Sequence, residues 1–209
     1  FFKTHNAFCT INGNAFTNAN NTAGCIYVVR DPRDVVISAS KYYGLSHDET
    51  KNNMFNEKMD LINDMKGSPF NTFLGSWPNH YNSWTKNCKN VLLIKYENLI
   101  ENKENEIRRI INFLSKFVKI SFDEKKIINC IESSSFQNMK IMDQNGLFPE
   151  NSKDFKGNKI PFFTSGKKGN WRGVLEEKIV SQIEKKFQKE MLELSYIDQH
   201  ANKCNPIKF

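Results

Sequence analysis

A short apolar strand that runs straight into a helix through an Arg-Asp-Pro junction constrains this fold more than any other feature. The run Cys25–Val29 is apolar and rich in β-branched residues, which is typical of a strand buried in a parallel sheet. After Arg30, the pair Asp31 and Pro32 supplies a favourable N-cap residue and a proline for the first helical position. The junction therefore predicts a helix over 33–43.

Strand and helix patterns alternate along the rest of the chain. Val91–Lys95 is a second apolar strand. Apolar spacings of three and four residues predict further helices over 56–65, 77–84, 104–114, 123–131 and 175–194. Strands that alternate with helices favour an α/β fold around a parallel sheet, and 209 residues fit one domain.

The composition excludes several classes of protein. Hydrophobic residues at 39% and charged residues at 25% are ordinary for a globular protein, and no stretch has the roughly 18 apolar residues of a membrane span. The net charge of +7 indicates an anionic partner. Because basic and acidic residues are interleaved, a small polyanionic ligand explains that charge as well as nucleic acid does, and we expect no nucleic-acid partner.

The five cysteines are widely spaced and form no Cys-x-x-Cys or Cys/His pattern. We therefore expect reduced thiols and no metal site. The chain starts with Phe1, and its opening shows no signal-peptide pattern. A cytoplasmic location is the expectation that follows.

The strand–helix junction also has the chemistry of a phosphate site. Arg30 stands at the end of the strand, where free N–H groups and the helix dipole favour an anion. Ser38 lies about two turns into the helix, on the side from which its hydroxyl can reach the same anion. The structural alternative is a salt bridge between Arg30 and Asp34 that caps the helix, and the junction alone does not decide between the two.

The whole junction, residues 27–38, resembles the 3′-phosphate-binding signature of the cytosolic sulfotransferases. In that family a strand ending in Arg runs into a helix with Ser eight residues later, and Arg30 and Ser38 occupy those positions. The resemblance implies that both bind the 3′-phosphate of 3′-phosphoadenosine 5′-phosphosulfate (PAPS). It also implies a P-loop-type, three-layer α/β/α fold with a central parallel sheet.

Other motifs follow in the order of that family. Lys3-Thr4-His5 is similar to a segment on a hydrophobic strand whose His is the catalytic base, which implies catalytic roles for His5 and Lys3. The resemblance places four residues near the adenine: Tyr96, Ser134, Phe136 and Phe162. The segment 75–77 with Trp84 is similar to a substrate-side helix, and aromatic packing in the core explains it equally well.

The segment 166–172 resembles the glycine-rich loop that covers the 3′-phosphate in the family. Its candidate phosphate contacts are Gly166, Lys167, Lys168 and Gly169. Glycines let the backbone approach a phosphate closely. Thr164 and Ser165 stand where the family usually has Arg and Lys. We expect a loop lysine to supply the missing charge, or the phosphate to be held less tightly.

Two motifs of the family have no counterpart in this sequence. Nothing before His5 resembles its 5′-phosphosulfate-binding loop, so we expect one domain over 1–209 that lacks its first βα unit. The dimer motif expected after Trp171 is also missing, and the oligomeric state is not predicted.

The resemblance implies an enzyme that moves a sulfuryl group from PAPS to a hydroxyl or an amine, without a metal and with 3′-phosphoadenosine 5′-phosphate (PAP) as product. We expect the 209-residue chain alone to be inactive because of the missing loop. A nucleotide kinase of related fold would need a complete phosphate loop and Mg²⁺-binding acids, and neither is seen. A non-catalytic module that binds 3′-phosphoadenosine nucleotides is the other alternative.

Overall fold

A computed structural model of the chain describes residues 1–61, 72–120, 123–148, 152–153, 159–163 and 166–198. The strands in this part are β1 Thr10–Ile11, β2 Asn14–Ala15, β3 Cys25–Val29, β4 Asp60–Leu61, β5 Thr72–Phe73, β6 Val91–Lys95, β7 Ser152–Lys153 and β8 Lys159–Ile160. The helices are α1 Pro32–Tyr43, α2 His47–Phe55, α3 Trp77–Asn87, α4 Tyr96–Glu101, α5 Lys103–Leu114, α6 Glu124–Ser133, α7 Phe136–Gln144, α8 Glu177–Lys186 and α9 Gln188–Glu193.

The two apolar strands predicted from the sequence pair with each other. β3 and β6 are parallel and in register, from Cys25 opposite Val91 to Val29 opposite Lys95. The other strand pairs among the described residues are two-residue antiparallel ladders. The α/β fold with a parallel sheet is therefore confirmed. Because parallel strands end at the same edge, the residues that follow β3 and β6 meet there.

Helix α1 begins and ends where its capping residues indicate. The side chain of Asp31 accepts a hydrogen bond from the backbone N–H of Arg33, 2.9 Å away, and Pro32 opens the helix. Gly44 ends it with a left-handed φ of 66°. Such a φ costs glycine little and other residues more, so the sequence alone locates this end.

The main core packs α1 against the two C-terminal helices. Val36, Ile183, Phe187 and Met191 are all fully buried. The prediction of a single helix over 175–194 is wrong. The backbone leaves helical geometry at Phe187 (φ −110°, ψ 17°), so this segment forms two helices, α8 and α9. The ring of Phe187 stacks on Trp77 at 5.4 Å in that position. Trp77 thus packs in the core, as the structural alternative for the segment 75–77 proposed.

The prediction of a helix over 56–65 is also wrong for residues 56–61, which the structure describes. Asn56 takes an extended backbone (ψ 115°) that ends α2, and β4 follows and pairs with β5. The carbonyl of Met59 accepts the N–H groups of Leu74 and Gly75, both at 2.9 Å. Long-range backbone pairing therefore overrides the local helical pattern, and residues 62–65 lie outside the described part. Among the described residues, no helix is long and apolar enough to cross a membrane.

Candidate functional site

Arg30 and Tyr96 meet at the carboxyl edge of the parallel sheet. Arg30 directly follows β3 and Tyr96 directly follows β6, so the register of the two strands brings them together. The guanidinium carbon of Arg30 lies 4.5 Å from the centre of the Tyr96 ring. The Nε of Arg30 is buried and has no hydrogen-bond partner among the described residues. A buried donor without a partner costs about 1–3 kcal/mol, so this geometry suits an anionic ligand.

The alternative salt bridge between Arg30 and Asp34 is not formed. Asp34 is fully buried, and its carboxylate accepts the backbone N–H of Gly169 at 2.7 Å and that of Trp171 at 3.0 Å. The helix-capping explanation for Arg30 is therefore wrong. Ser38 lies one turn further along α1 than Asp34, with its side chain exposed.

The loop of residues 166–171 is joined to three of the elements that carry predicted site residues. Asp34 holds it on α1, and Lys168 forms an ion pair with Glu101 at the end of α4. Gly166 has a φ of +58°, and a Cβ there would lie only 2.4 Å from the Phe136 ring at the start of α7. Only glycine fits this close approach to the Phe136 ring.

The amides of Gly169 and Trp171 are already bonded to Asp34. The amide of Gly169 is therefore committed to Asp34 in this structure, because an N–H group makes one good hydrogen bond. The side chains of Lys167 and Lys168 are both exposed. They are the loop's positive charges in the described part of the chain.

Phe136, one of the adenine candidates, lies against the same loop at Gly166. Phe136 packs edge-on against Phe163 with ring centres 6.0 Å apart, and Phe162 lies 4.9 Å from Phe148. Phe162 also meets Tyr42, near the end of α1, at 6.2 Å. These rings form an aromatic wall beside the loop.

Ser134 lies between α6 and α7 and turns its hydroxyl toward its own helix. The hydroxyl donates to the carbonyl oxygen of Cys130 at 2.6 Å, and Lys103 donates to the carbonyl oxygen of Ser134. A hydroxyl can still accept one hydrogen bond while it donates another. In this geometry Ser134 can only accept from a ligand unless its hydroxyl rotates.

Arg33 is a buried residue of the site that the sequence motifs did not identify. Its guanidinium bonds to Asp31 at 2.7 Å, to Glu184 on α8 at 2.5 Å and to the carbonyl oxygen of Tyr196 at 2.8 Å. Burial alone would lower the pKa of Arg33, but the hydrogen bonds to Asp31 and Glu184 outweigh it and raise the pKa. Arg33 thus ties the strand–helix junction to the C-terminal helices.

Glu97 joins the two strand ends and was also missed. One carboxylate oxygen accepts the backbone N–H of Asp31 at 3.0 Å, and the other accepts the hydroxyl of Tyr196 at 3.0 Å. Burial and the nearby charge of Glu97 raise the pKa of Tyr196, so this phenol stays protonated and donates. The position of Glu97, just after β6, was the only available sequence signal.

The predicted catalytic segment lies along α3 and is not a strand. The side chain of His5 is exposed, and its carbonyl oxygen lies 3.1 Å from Nε2 of His80. Ser83 accepts the backbone N–H of Phe8 at 3.0 Å, and the indole N–H of Trp84 donates to the carbonyl oxygen of Asn6 at 2.9 Å. Side chains on one face of α3 therefore supply hydrogen bonds to the backbone of this segment, in place of those that a neighbouring strand would provide.

These positions divide the predicted residues into two groups. Arg30, Tyr96, Phe136 and the loop 166–169 gather around the carboxyl edge of the sheet. His5 is connected to β3 earlier in the strand, through His80 and Tyr27.

Known proteins share this fold and sequence pattern. The model of the sulfotransferase domain family matches residues 1–195. Sulfotransferase 2A1 of Macaca fascicularis is 27% identical over 84% of this chain and 59% of its own length. Sulfotransferase 2A1 of Rattus norvegicus is 30% identical over 82% and 58%, so the chain spans less than two thirds of these relatives.

The fold has a counterpart among solved structures. Mouse sulfotransferase SULT7A1, solved in complex with PAP, superimposes with a TM-score of 0.55 and 23% identity, over 79% of this chain and 58% of that one. The family match covers nearly all of the described residues, including the Arg30 junction and the 166–171 loop. The chain belongs to the sulfotransferase family.

Proposed function

We propose that this protein binds PAPS and transfers its sulfuryl group to a hydroxyl or an amine of an acceptor. The observation that carries the proposal is the buried, unpartnered Nε of Arg30, stacked over Tyr96 at the carboxyl edge of the sheet. A guanidinium is suited to phosphate because its planar donors match the phosphate oxygens. The PAP named in the mouse neighbour carries such a group.

The residues around Arg30 fit a 3′-phosphoadenosine nucleotide. The exposed hydroxyl of Ser38 lies on α1, the helix that begins two residues after Arg30. Lys167 and Lys168 add positive charge from the loop. Four residues are proposed to surround the adenine ring: Tyr96, Ser134, Phe136 and Phe162. PAPS supplies the sulfuryl group when bound.

His5 is the proposed general base and Lys3 the proposed charge-stabilising residue. The exposed side chain of His5 is free to meet an acceptor, while its backbone is held by α3. A positioned base of this type contributes about 10²–10⁴ in rate. The cytoplasmic location, the single domain and the independence from metal remain predictions of the sequence.

Calorimetry with PAP and with AMP tests the nucleotide site. PAP carries the 3′-phosphate and AMP lacks it, so we expect PAP to bind at least about tenfold more tightly, a difference of about 1.4 kcal/mol. Equal affinities would contradict the assignment of Arg30.

A transfer assay then separates an enzyme from a binding module. A full-length preparation of the protein is incubated with PAPS labelled in its sulfuryl group and, in turn, with a phenol, an aliphatic alcohol and a primary amine. Label that moves to any of them supports the proposed reaction. Selective binding of PAP without transfer would instead support the non-catalytic module.

A further inference from the structure

Asp34 is a buried carboxylate close to the proposed phosphate site, and it pairs with no basic side chain in the described part of the chain. It belongs to the first turn of α1 and has no exposed surface. Removing a carboxylate from water is costly, so each of its oxygens needs a good partner. The partners are the backbone N–H groups of Gly169 and Trp171, at 2.7 Å and 3.0 Å.

Two further features strengthen the contact between Asp34 and the loop. The N-terminal turn of a helix carries partial positive charge, which stabilises a nearby anion. Hydrogen bonds from an N–H group to a carboxylate are also shorter and stronger than those between neutral groups. Asp34 therefore attaches the loop to α1 by a strong, water-excluded contact.

The rest of the loop depends on this attachment. Gly169 adopts a φ of +70°, and the Trp171 ring lies 4.0 Å from the guanidinium carbon of Arg33 on α1. On the other side, Lys168 reaches Glu101 in a half-exposed pair. Exposed pairs contribute about 0–1 kcal/mol, so the buried contact at Asp34 decides where the loop lies.

We propose that Asp34 positions the loop 166–171 against the first turn of α1, next to Arg30 in sequence, and thereby determines the selectivity of the site for a 3′-phosphorylated nucleotide. The inference rests on the proposed function, because it concerns the same nucleotide. Asp34 does not touch the nucleotide, since both of its oxygens face the loop backbone. It acts through the position of Lys167 and Lys168.

The test measures the affinities of PAP and of AMP for matched variants of the chain. Asp34→Asn keeps the shape of the side chain but replaces one acceptor oxygen by an NH₂ group, so one of the two loop contacts is lost. We expect the affinity for PAP to fall at least about tenfold and the affinity for AMP to change less than about twofold. A general loss of structure would lower both affinities together.

A second variant acts on the loop without changing α1. Gly169→Ala places a side chain at a φ of +70°, which strains the loop while Asp34 stays intact. We expect the same selective loss of PAP affinity. Asp48→Asn, in the first turn of the exposed start of α2, is the matched control and should leave both affinities unchanged.

The outcomes distinguish the inference from the proposed function. If the unaltered chain prefers PAP and both loop variants keep that preference, the role of Asp34 is refuted while the nucleotide site stands. If the unaltered chain shows no preference for PAP, there is no selectivity for Asp34 to determine and both proposals fail. Should Asp34→Asn not fold, as judged by its circular dichroism, Gly169→Ala decides.

Discussion

The hydroxyl of Tyr27 lies 2.7 Å from Nδ1 of His80, and Nε2 of the same ring lies 3.1 Å from the carbonyl oxygen of His5. A carbonyl can only accept, so Nε2 carries the proton, and Nδ1 accepts the hydrogen bond from Tyr27. The neutral imidazole thus links β3 to the backbone of the proposed base. Protonation of Nδ1 would remove the acceptor that Tyr27 uses.

This link makes the stability of the protein dependent on pH. Burial lowers the pKa of His80 from its usual value of 6.5, so between the lowered pKa and 6.5 the unfolded chain binds more protons than the folded one. Stability should therefore fall as the pH drops from 6.5 through the folded pKa. We expect urea unfolding at a series of pH values to show this fall in the unaltered chain and a smaller one in His80→Gln.

His47→Gln is the control for that experiment, because His47 opens α2 on a different part of the surface. It should retain the pH dependence of the unaltered chain. The same dependence in His80→Gln would mean that another group causes the loss of stability in acid.

Replacing Arg30 should weaken PAP binding strongly. If the 3′-phosphate pairs with this guanidinium, Arg30→Ala leaves it without its main partner, at a cost on the order of 3–5 kcal/mol. Calorimetry should show a large loss for PAP and little change for AMP. Arg108→Ala is the matched control, since Arg108 pairs with Glu104 and Glu124 on the surface. An unchanged affinity for PAP would remove Arg30 from the site.

Replacing Glu101 should strengthen PAP binding. Lys168 pairs with Glu101 in the free protein, so part of its charge is already compensated. Glu101→Gln removes that competitor and one negative charge near the phosphate, and since the pair is half exposed we expect a gain of only about two- to fivefold. Titrations at low and high salt check it, and the gain should shrink as salt screens the charges.

The control for this effect is Glu104→Gln, which removes the same charge from a residue that pairs with Arg108. Equal gains in both variants would indicate a general effect of net charge. A loss of affinity in Glu101→Gln would mean that the ion pair holds Lys168 in place for the phosphate.

Replacing His5 should affect turnover without affecting nucleotide binding. In a preparation active in sulfuryl transfer, His5→Ala should lower kcat by at least about tenfold, since a general base contributes about 10²–10⁴. The affinity for PAP should be unchanged, because the backbone of His5 is bonded to His80 on α3, a different element from the loop 166–171. His47→Ala should leave both quantities unchanged. Retention of more than about a tenth of kcat would argue against His5 as the base.

Local sequence patterns determined the elements around Arg30. Four features depend on interactions within a few residues, and each was found where it was expected: the strand Cys25–Val29, the Asp31 cap, Pro32 and the helix end at Gly44. Two apolar strands that alternate with helical patterns were enough to predict the α/β class. The grouping of the loop with Arg30 followed only from the family resemblance.

The tertiary structure alone decided which partners the polar side chains choose. Asp34 is attached to Gly169 and Trp171, 135 and 137 residues away in sequence, and no local pattern shows that it prefers them to Arg30. The break at Phe187 and the course of His5 along α3 likewise depend on distant contacts. A buried carboxylate, ring or carbonyl takes whichever partner the fold brings within reach, and that choice is set by the packing of whole elements.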